Sequence, residues 1–123
     1  MNEIRRIYKA FFEKLSKFES VEKILIHGYD YIRTDHAEIV TKDGWVNKYM
    51  ENKGITKAKD RNALIQYLID QFNGLLQSLA ADFPKVVYIN NRTTIKAEEW
   101  YDEIHPSDDG FKKIADNFLK EMS

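Results

Sequence analysis

The chain has 123 residues, of which 43% are apolar and 32% are charged, and its formal net charge is −1. This balance is typical of one globular domain, residues 1–123, and it predicts neither a nucleic-acid nor an anionic-membrane partner. The lack of cysteine excludes disulfides, thiolate metal sites and a cysteine nucleophile.

The N-terminus shows no targeting signal. Charges interrupt residues 1–9, so they lack the apolar core of a signal peptide. No stretch approaches the ~18 apolar residues that a membrane helix needs. The sequence therefore predicts a cytoplasmic protein without a membrane partner. If the chain is a piece of a longer protein, a targeting signal in the missing N-terminus would change that expectation.

The first two predicted elements are a helix and a strand. An apolar stripe at helical spacing predicts an amphipathic helix from about residue 2 to 18. Residues 23–28 then form a short apolar run that ends in glycine, which is typical of a buried strand in a parallel sheet. The stripe of the helix comprises Ile4, Ile7, Tyr8, Phe11, Phe12, Leu15 and Phe18.

Residues 31–61 are polar and lack a sustained period. A region this long between a strand and its crossover helix is often a lid or a binding loop. Its local signals are two turns and one short helix, at Asp43-Gly44, at Lys53-Gly54, and at Trp45, Tyr49 and Met50.

The rest of the chain predicts a helix, a strand and a helix. Pro84 ends the first of these helices, and residues 86–89 form a second apolar strand. The last helix follows Pro106, with Ser107 as N-cap and two acids in its first turn. We expect the apolar stripes of both helices to be buried: Leu64, Ile65, Leu68, Ile69, Phe72, Leu75, Leu76 and Leu79, then Phe111, Ile114, Ala115, Phe118, Leu119 and Met122.

This order of elements predicts an α/β layered fold. Strands near 23–28 and 86–90 should be parallel neighbours, joined by a right-handed crossover. Two strands make a poor sheet, because three or more are normally needed for independent stability. Since both runs are continuously apolar, we expect both strands to be buried on both faces. The sequence thus implies neighbouring strands that this chain does not contain.

The strongest chemical feature is the run Asp102-Glu103-Ile104-His105-Pro106. An aspartate three residues before a histidine can accept a hydrogen bond from one imidazole nitrogen, which leaves the other nitrogen as a general base. Pro106 stiffens the backbone after the histidine. The alternative is that Asp102 caps a turn and His105 is a surface histidine.

In this α/β setting, the D-x-x-H-P run before a last helix resembles the final block of the SGNH/GDSL-type serine hydrolases. The run 24–31, Ile-Leu-Ile-His-Gly-Tyr-Asp-Tyr, resembles a later inner strand of a bacterial subgroup. The resemblance extends from about residue 5 to 122. It implies a truncated, three-layer α/β/α (flavodoxin-like) fold and hydrolysis of a small-molecule ester or acylated substrate without a cofactor. His105 would be the general base and Asp102 its orienting carboxylate.

This sequence departs from the family because the first half of the family's fold, with its first strands, is missing. It has no Gly-Asp-Ser turn for the nucleophile, no oxyanion-hole glycine and no Gly-x-Asn-Asp block. We therefore expect the chain to be inactive alone and to need an N-terminal half that carries the serine, or else to self-associate. None of its serines is placed as a nucleophile: Ser16, Ser20, Ser78, Ser107 and Ser123.

A second group of candidate residues follows the first strand. Open α/β sheets bind ligands at the carboxyl ends of their strands. We therefore expect His27, Gly28, Tyr29 and Asp30 to contact substrate in a crevice shared with the D-x-x-H loop. His27 could instead be a partly buried histidine bonded to a backbone carbonyl, and Asp30 a turn-forming residue. Packing rather than ligand stacking is expected of both tryptophans.

Two other functions stay open from the sequence. One is a non-catalytic relic or binding module with the same fold. The other is a metal-dependent hydrolase that uses His27, Asp30, Asp102 and His105, since imidazole and carboxylate suit zinc or manganese. Their spacing matches no metal signature.

Overall fold

The computed structural model describes residues 1–34 and 45–123, which fold as an α/β unit with a short parallel sheet. The predicted turn at Asp43-Gly44 lies outside these residues. Within them, no helix is both long enough and apolar enough to cross a membrane. In chain order the elements are α1 (Asn2–Ser16), β1 (Ile24–His27), α2 (Asn47–Asn52), α3 (Ala58–Ala81), β2 (Val86–Ile89), a 3-10 turn (Ala97–Glu99) and α4 (Asp108–Met122).

The two strands are parallel neighbours, as the sequence predicts. Their register pairs Ile24 with Val86 and His27 with Ile89. Because the strands run in the same direction, both carboxyl ends lie at one edge of the sheet. The loops that carry the candidate residues leave from that edge.

The core lies between α1, α3 and one face of the sheet. Its buried members are Phe12, Ile24, Leu75, Leu79 and Val86. Phe12 is fully buried. Burial of a side chain of this size stabilises the fold by about 1.5–3 kcal/mol. This cluster therefore fixes α1 and α3 against the strands.

Helix α4 lies against the opposite face. Side chains alternate between the faces of a strand, so His27 points away from the face that carries Ile24 and Ile26. Its ring meets the edge of Phe118 of α4, with ring centroids 5.2 Å apart. Helices thus cover both faces of the two-stranded sheet.

Burial of the strands and of α4 is lower than the sequence predicts. We expected both strands to be buried on both faces, but Leu25 and Ile26 are only half-buried and His27 is exposed. The predicted buried stripe of α4 is also wrong, because Gly110 alone among its described residues is buried. The apolar periodicity gives the helix and strand correctly. It overstates burial because two strands offer the helices too little surface to pack against.

The region before α3 is more helical than its sequence indicates. The predicted short helix is present as α2, in which Met50 is buried and Tyr49 is exposed. The predicted turn after it is confirmed, with Gly54 at φ 77°. Helix α3 begins at Ala58, six residues before the first apolar residue of its stripe, because its first turns are polar and exposed.

Candidate active site

The Asp-x-x-His element lies in a short loop that is closed at its base. Trp100 pairs with Pro106 in an isolated antiparallel bridge. Within the loop, the backbone N–H groups of Tyr101 and Asp102 donate to the carbonyl oxygen of His105, at 2.8 and 3.2 Å. These bonds bring Asp102 and His105 together through the backbone, before their side chains contribute.

Ser107 fixes the end of this loop to α4. Its hydroxyl accepts a hydrogen bond from the Gly110 backbone N–H at 3.4 Å and donates to the Glu99 carbonyl oxygen at 2.8 Å. The predicted N-cap is therefore confirmed. A Cβ on Gly110 would lie 2.7 Å from the Glu99 oxygen, so glycine is needed for this close approach.

Asp102 and His105 form a hydrogen-bonded pair. Asp102 Oδ2 lies 2.8 Å from His105 Nδ1, and Oδ1 accepts the backbone N–H groups of Ile104 and His105 at 2.8 and 2.7 Å. The carboxylate is 2% exposed, whereas the imidazole is 49% exposed. Because Asp102 occupies Nδ1, Nε2 is the nitrogen that can take a proton from a reactant.

Trp45 contributes a further donor to the same carboxylate. Its indole Nε1 donates to Asp102 Oδ2 at 3.1 Å, and its ring meets the His105 ring edge-to-face at 5.8 Å. Burial by itself would raise the pKa of Asp102. The hydrogen bonds from His105, Ile104 and Trp45 outweigh that effect and hold this pKa below its usual value. Asp102 therefore stays a carboxylate and keeps accepting the imidazole N–H.

Glu103, beside Asp102 in the chain, is fully buried. Its carboxylate accepts hydrogen bonds from the backbone N–H groups of Trp45, Val46 (2.7 Å) and Asn47 (3.2 Å). Its carbonyl oxygen accepts from the backbone N–H of Arg33 at 2.7 Å. This one residue ties the start of α2 and the loop after β1 to the Asp-x-x-His loop.

His105 lies between two cavities. The open one has a volume of about 640 Å³, and its walls include the exposed rings of Trp45, Tyr101 and Phe111. The smaller one has a volume of about 220 Å³ and is lined mainly by apolar side chains. The smaller cavity is also lined by His27, Gly28, Tyr29 and Asp30, so these residues share one crevice with His105, whereas Asp102 lines the open cavity.

Asp30 serves as a structural link at the floor of this crevice. It is buried, and its carboxylate accepts the backbone N–H groups of Tyr31 (2.7 Å), Thr93 (2.7 Å) and Ile95 (2.8 Å). Thr93 has φ 63°, a left-handed conformation that is unfavourable for a β-branched residue. Asp30 thus holds a strained turn after β2 against the loop after β1, which fits the turn-forming alternative.

The other three residues after β1 have distinct surroundings. His27 is exposed, and its Nδ1 lies 3.0 Å from the carbonyl oxygen of Gly28. Gly28 is buried against Asn73 of α3, where a Cβ would lie 1.9 Å from the amide oxygen. Tyr29 is exposed at the cavity. Contact of these residues with a substrate stays a prediction.

The four residues of the metal alternative do not form a metal site. In the described parts of the chain, no three His, Asp or Glu side chains come close enough to bind one ion. Both oxygens of Asp30 and both of Asp102 already accept hydrogen bonds. Metal-assisted hydrolysis at this position therefore gains no support.

Sequence reasoning missed Trp45 and Glu103 as parts of the site. Trp45 was expected to pack, yet it is 44% exposed and bonded to Asp102. Glu103 occupies a variable position of D-x-x-H, where nothing in the spacing marks it. Nothing in the sequence distinguishes it from the neighbouring acids Glu98, Glu99, Asp108 and Asp109.

Comparisons of the chain with protein-family models, with curated proteins and with solved structures gave no match in any of the three.

Proposed function

We propose that this chain is the base-carrying part of an SGNH-type ester hydrolase. The observation that carries the proposal is the pairing of Asp102, a buried carboxylate, with the half-exposed imidazole of His105, which lines two cavities. The resemblance of the D-x-x-H-P run to the last block of that family supports it. The α/β architecture, with the pair beyond the carboxyl ends of parallel strands, also fits.

The proposed reaction is acyl transfer through serine. His105 Nε2 takes the proton of a serine hydroxyl while the oxygen attacks the acyl carbon of the ester. The imidazolium then returns that proton to the leaving alcohol. Water attacks the acyl-enzyme in the same way and releases the acid. Asp102 holds the imidazole orientation and stabilises its positive charge throughout.

The nucleophile must come from elsewhere. Ser107 is the serine nearest to His105 in the chain and lines the open cavity, but its hydroxyl is engaged with Glu99 and Gly110 as the cap of α4. Ser16 and Ser78 lie in helices α1 and α3. We propose that an N-terminal half with a Gly-Asp-Ser turn supplies the serine. Among the described residues β1 and β2 pair only with each other, and their outer edges offer a place for its strands.

The test is turnover of a p-nitrophenyl ester by the chain alone and by the chain co-expressed with such a half. The chain alone should show no appreciable turnover, because it lacks the nucleophile. The pair should turn over, and His105→Ala and Asp102→Asn should each lower kcat by about 10⁴-fold. Asp116→Asn, an exposed acid on α4, is the matched control and should leave kcat unchanged.

Two outcomes would contradict the proposal. Robust turnover by the chain alone that disappears in His105→Ala would mean that the chain contains its own nucleophile, which serine substitutions would then identify. A stable, inactive complex with the half would favour a non-catalytic binding module. Ser107, the serine that lines the open cavity, is engaged as the cap of α4, and this observation keeps the second function open.

A further inference from the structure

Glu103 is a charged group that the proposed reaction does not use. It is fully buried, and a buried carboxylate is costly unless hydrogen bonds compensate its lost hydration. Here the donors are three consecutive backbone N–H groups, of Trp45, Val46 and Asn47. The Glu103 carboxylate therefore fixes the backbone of residues 45–47 at the start of α2. The side chains of these residues are positioned together with that backbone.

The side chain held in this way is the indole of Trp45. It donates to Asp102 Oδ2, the same oxygen that contacts His105 Nδ1. The indole also meets the His105 ring edge-to-face. The adjacent acids Asp102 and Glu103 thus bind two parts of one residue, the first its side chain and the second its backbone.

We propose that Glu103 is a positioning residue that acts on the Asp102–His105 pair through Trp45. This deepens the proposed function and rests on it for any catalytic consequence. Oδ1 of Asp102 is fixed by the backbone of its own loop, and Trp45 supplies the second donor on Oδ2. With donors on both oxygens, the plane of the Asp102 carboxylate is fixed. The His105 imidazole can then bond to it through Nδ1 in one orientation.

The test uses NMR on the purified chain and needs no turnover. Its two readouts, both taken at neutral pH, are the indole N–H resonance of Trp45 and the side-chain carboxyl carbon resonance of Asp102. Glu103→Ala should move the indole resonance upfield towards that of a solvent-exposed tryptophan. The carboxyl carbon resonance of Asp102 should move as well, because Oδ2 loses the indole N–H donor.

Coupling between the two residues is the deciding measurement. Trp45→Phe should shift the Asp102 carboxyl carbon resonance in the same direction as Glu103→Ala does, and the double variant should add nothing further, since both act through one bond. Glu103→Gln should give a smaller shift in the same direction. An amide keeps an oxygen for Trp45 and Val46 but presents an N–H₂ group to Asn47. Glu98→Ala, at an exposed acid of the 3-10 turn, is the matched control and should change neither readout.

Unchanged readouts in Glu103→Ala, or fully additive shifts in the double variant, would overturn the proposal. If Glu103→Ala does not fold, Glu103→Gln decides alone, and wild-type readouts in that variant would leave Glu103 with a structural role only. The proposed function fails separately. If NMR shows coupling between Glu103 and Trp45 but the co-expressed pair has no His105-dependent turnover, the proposed esterase function is refuted. The positioning role of Glu103 would still stand.

Discussion

The tightest steric constraint near the site is at Gly28, and Gly28→Ala is the substitution that tests it. A Cβ there would lie 1.9 Å from Asn73 Oδ1 and 2.5 Å from Asn73 Cγ. Asn73 cannot yield freely, because it is fully buried on α3. Its amide donates to the carbonyl oxygens of Tyr29 and Ile69, both at 2.9 Å, and its oxygen accepts the Tyr88 hydroxyl.

The expected cost is a large part of the stability of the domain. Moving Asn73 leaves the Tyr29 carbonyl and the Tyr88 hydroxyl without this partner, at about 1–3 kcal/mol for each buried polar group. Overpacking adds about 1–3 kcal/mol. Together these terms amount to about 3–9 kcal/mol. We expect Gly28→Ala to lower the free energy of unfolding by the lower part of that range, about 3–5 kcal/mol, because the Tyr88 hydroxyl also contacts Asn90 Oδ1 at 3.5 Å. A typical domain has about 5–15 kcal/mol in total.

Urea unfolding followed by circular dichroism measures this change. Gly74→Ala is the matched control, because a Cβ at Gly74 meets nothing within 4 Å. Alanine should stabilise that helix by up to about 1 kcal/mol. Adding Asn73→Ala to Gly28→Ala removes the clash, so the double variant should be more stable than the sum of the single effects by about 2 kcal/mol. A Gly28→Ala chain within about 1 kcal/mol of wild type, or a strictly additive double variant, would refute this reasoning.

Three further predictions concern the cap, the pH dependence and association. Ser107→Ala should lower the free energy of unfolding by about 1 kcal/mol, while Ser123→Ala at the exposed end of α4 should change it little; equal effects in urea unfolding would contradict the cap. Because the folded-state pKa of Asp102 is lowered, its contribution is present above the unfolded pKa and is lost as pH falls through the folded one. Wild type should therefore lose more stability than Asp102→Asn below about pH 4, as acid titration of the melting temperature will show. Sedimentation of the chain alone should reveal self-association, and a sharp, reversible melt from a clean monomer would argue against it. The prediction follows from the outer strand edges, which have no partner strand in residues 1–34 and 45–123, and from exposed apolar side chains, chiefly Ile7, Phe11, Phe18, Leu119 and Met122.

Local patterns in the sequence predict most of the elements. Periodicity gives α1, α3, α4 and both strands, because each has an apolar stripe or run of its own. Ser107 and Pro106 mark the start of α4, since capping chemistry is local. Burial is not local. How much of α4 is covered depends on how many strands stand beside it, which no stripe encodes.

The contacts of the candidate site likewise divide into local ones, which the sequence predicts, and long-range ones, which it does not. The Asp102–His105 contact spans three residues, so its spacing alone predicts it. Trp45 and Glu103 meet across 58 residues, and their contact depends on where α2 lies in the fold. The position of Asp30 shortly after β1 predicts that it lies at the edge of the sheet where the strands have their carboxyl ends. Its bonds to the turn after β2 depend on the backbone path of residues 92–95, which has no sequence signature.

This difference in sequence separation has a consequence for backbone amide hydrogen exchange. The amides that Asp102 protects belong to its own loop, two and three residues away, whereas those that Glu103 protects come from 56 to 58 residues away. An excursion that lifts the start of α2 releases the three distant amides together and leaves the two local ones bonded. The amides of Trp45, Val46 and Asn47 should therefore exchange as a single cooperative group, faster than the amides of Ile104 and His105.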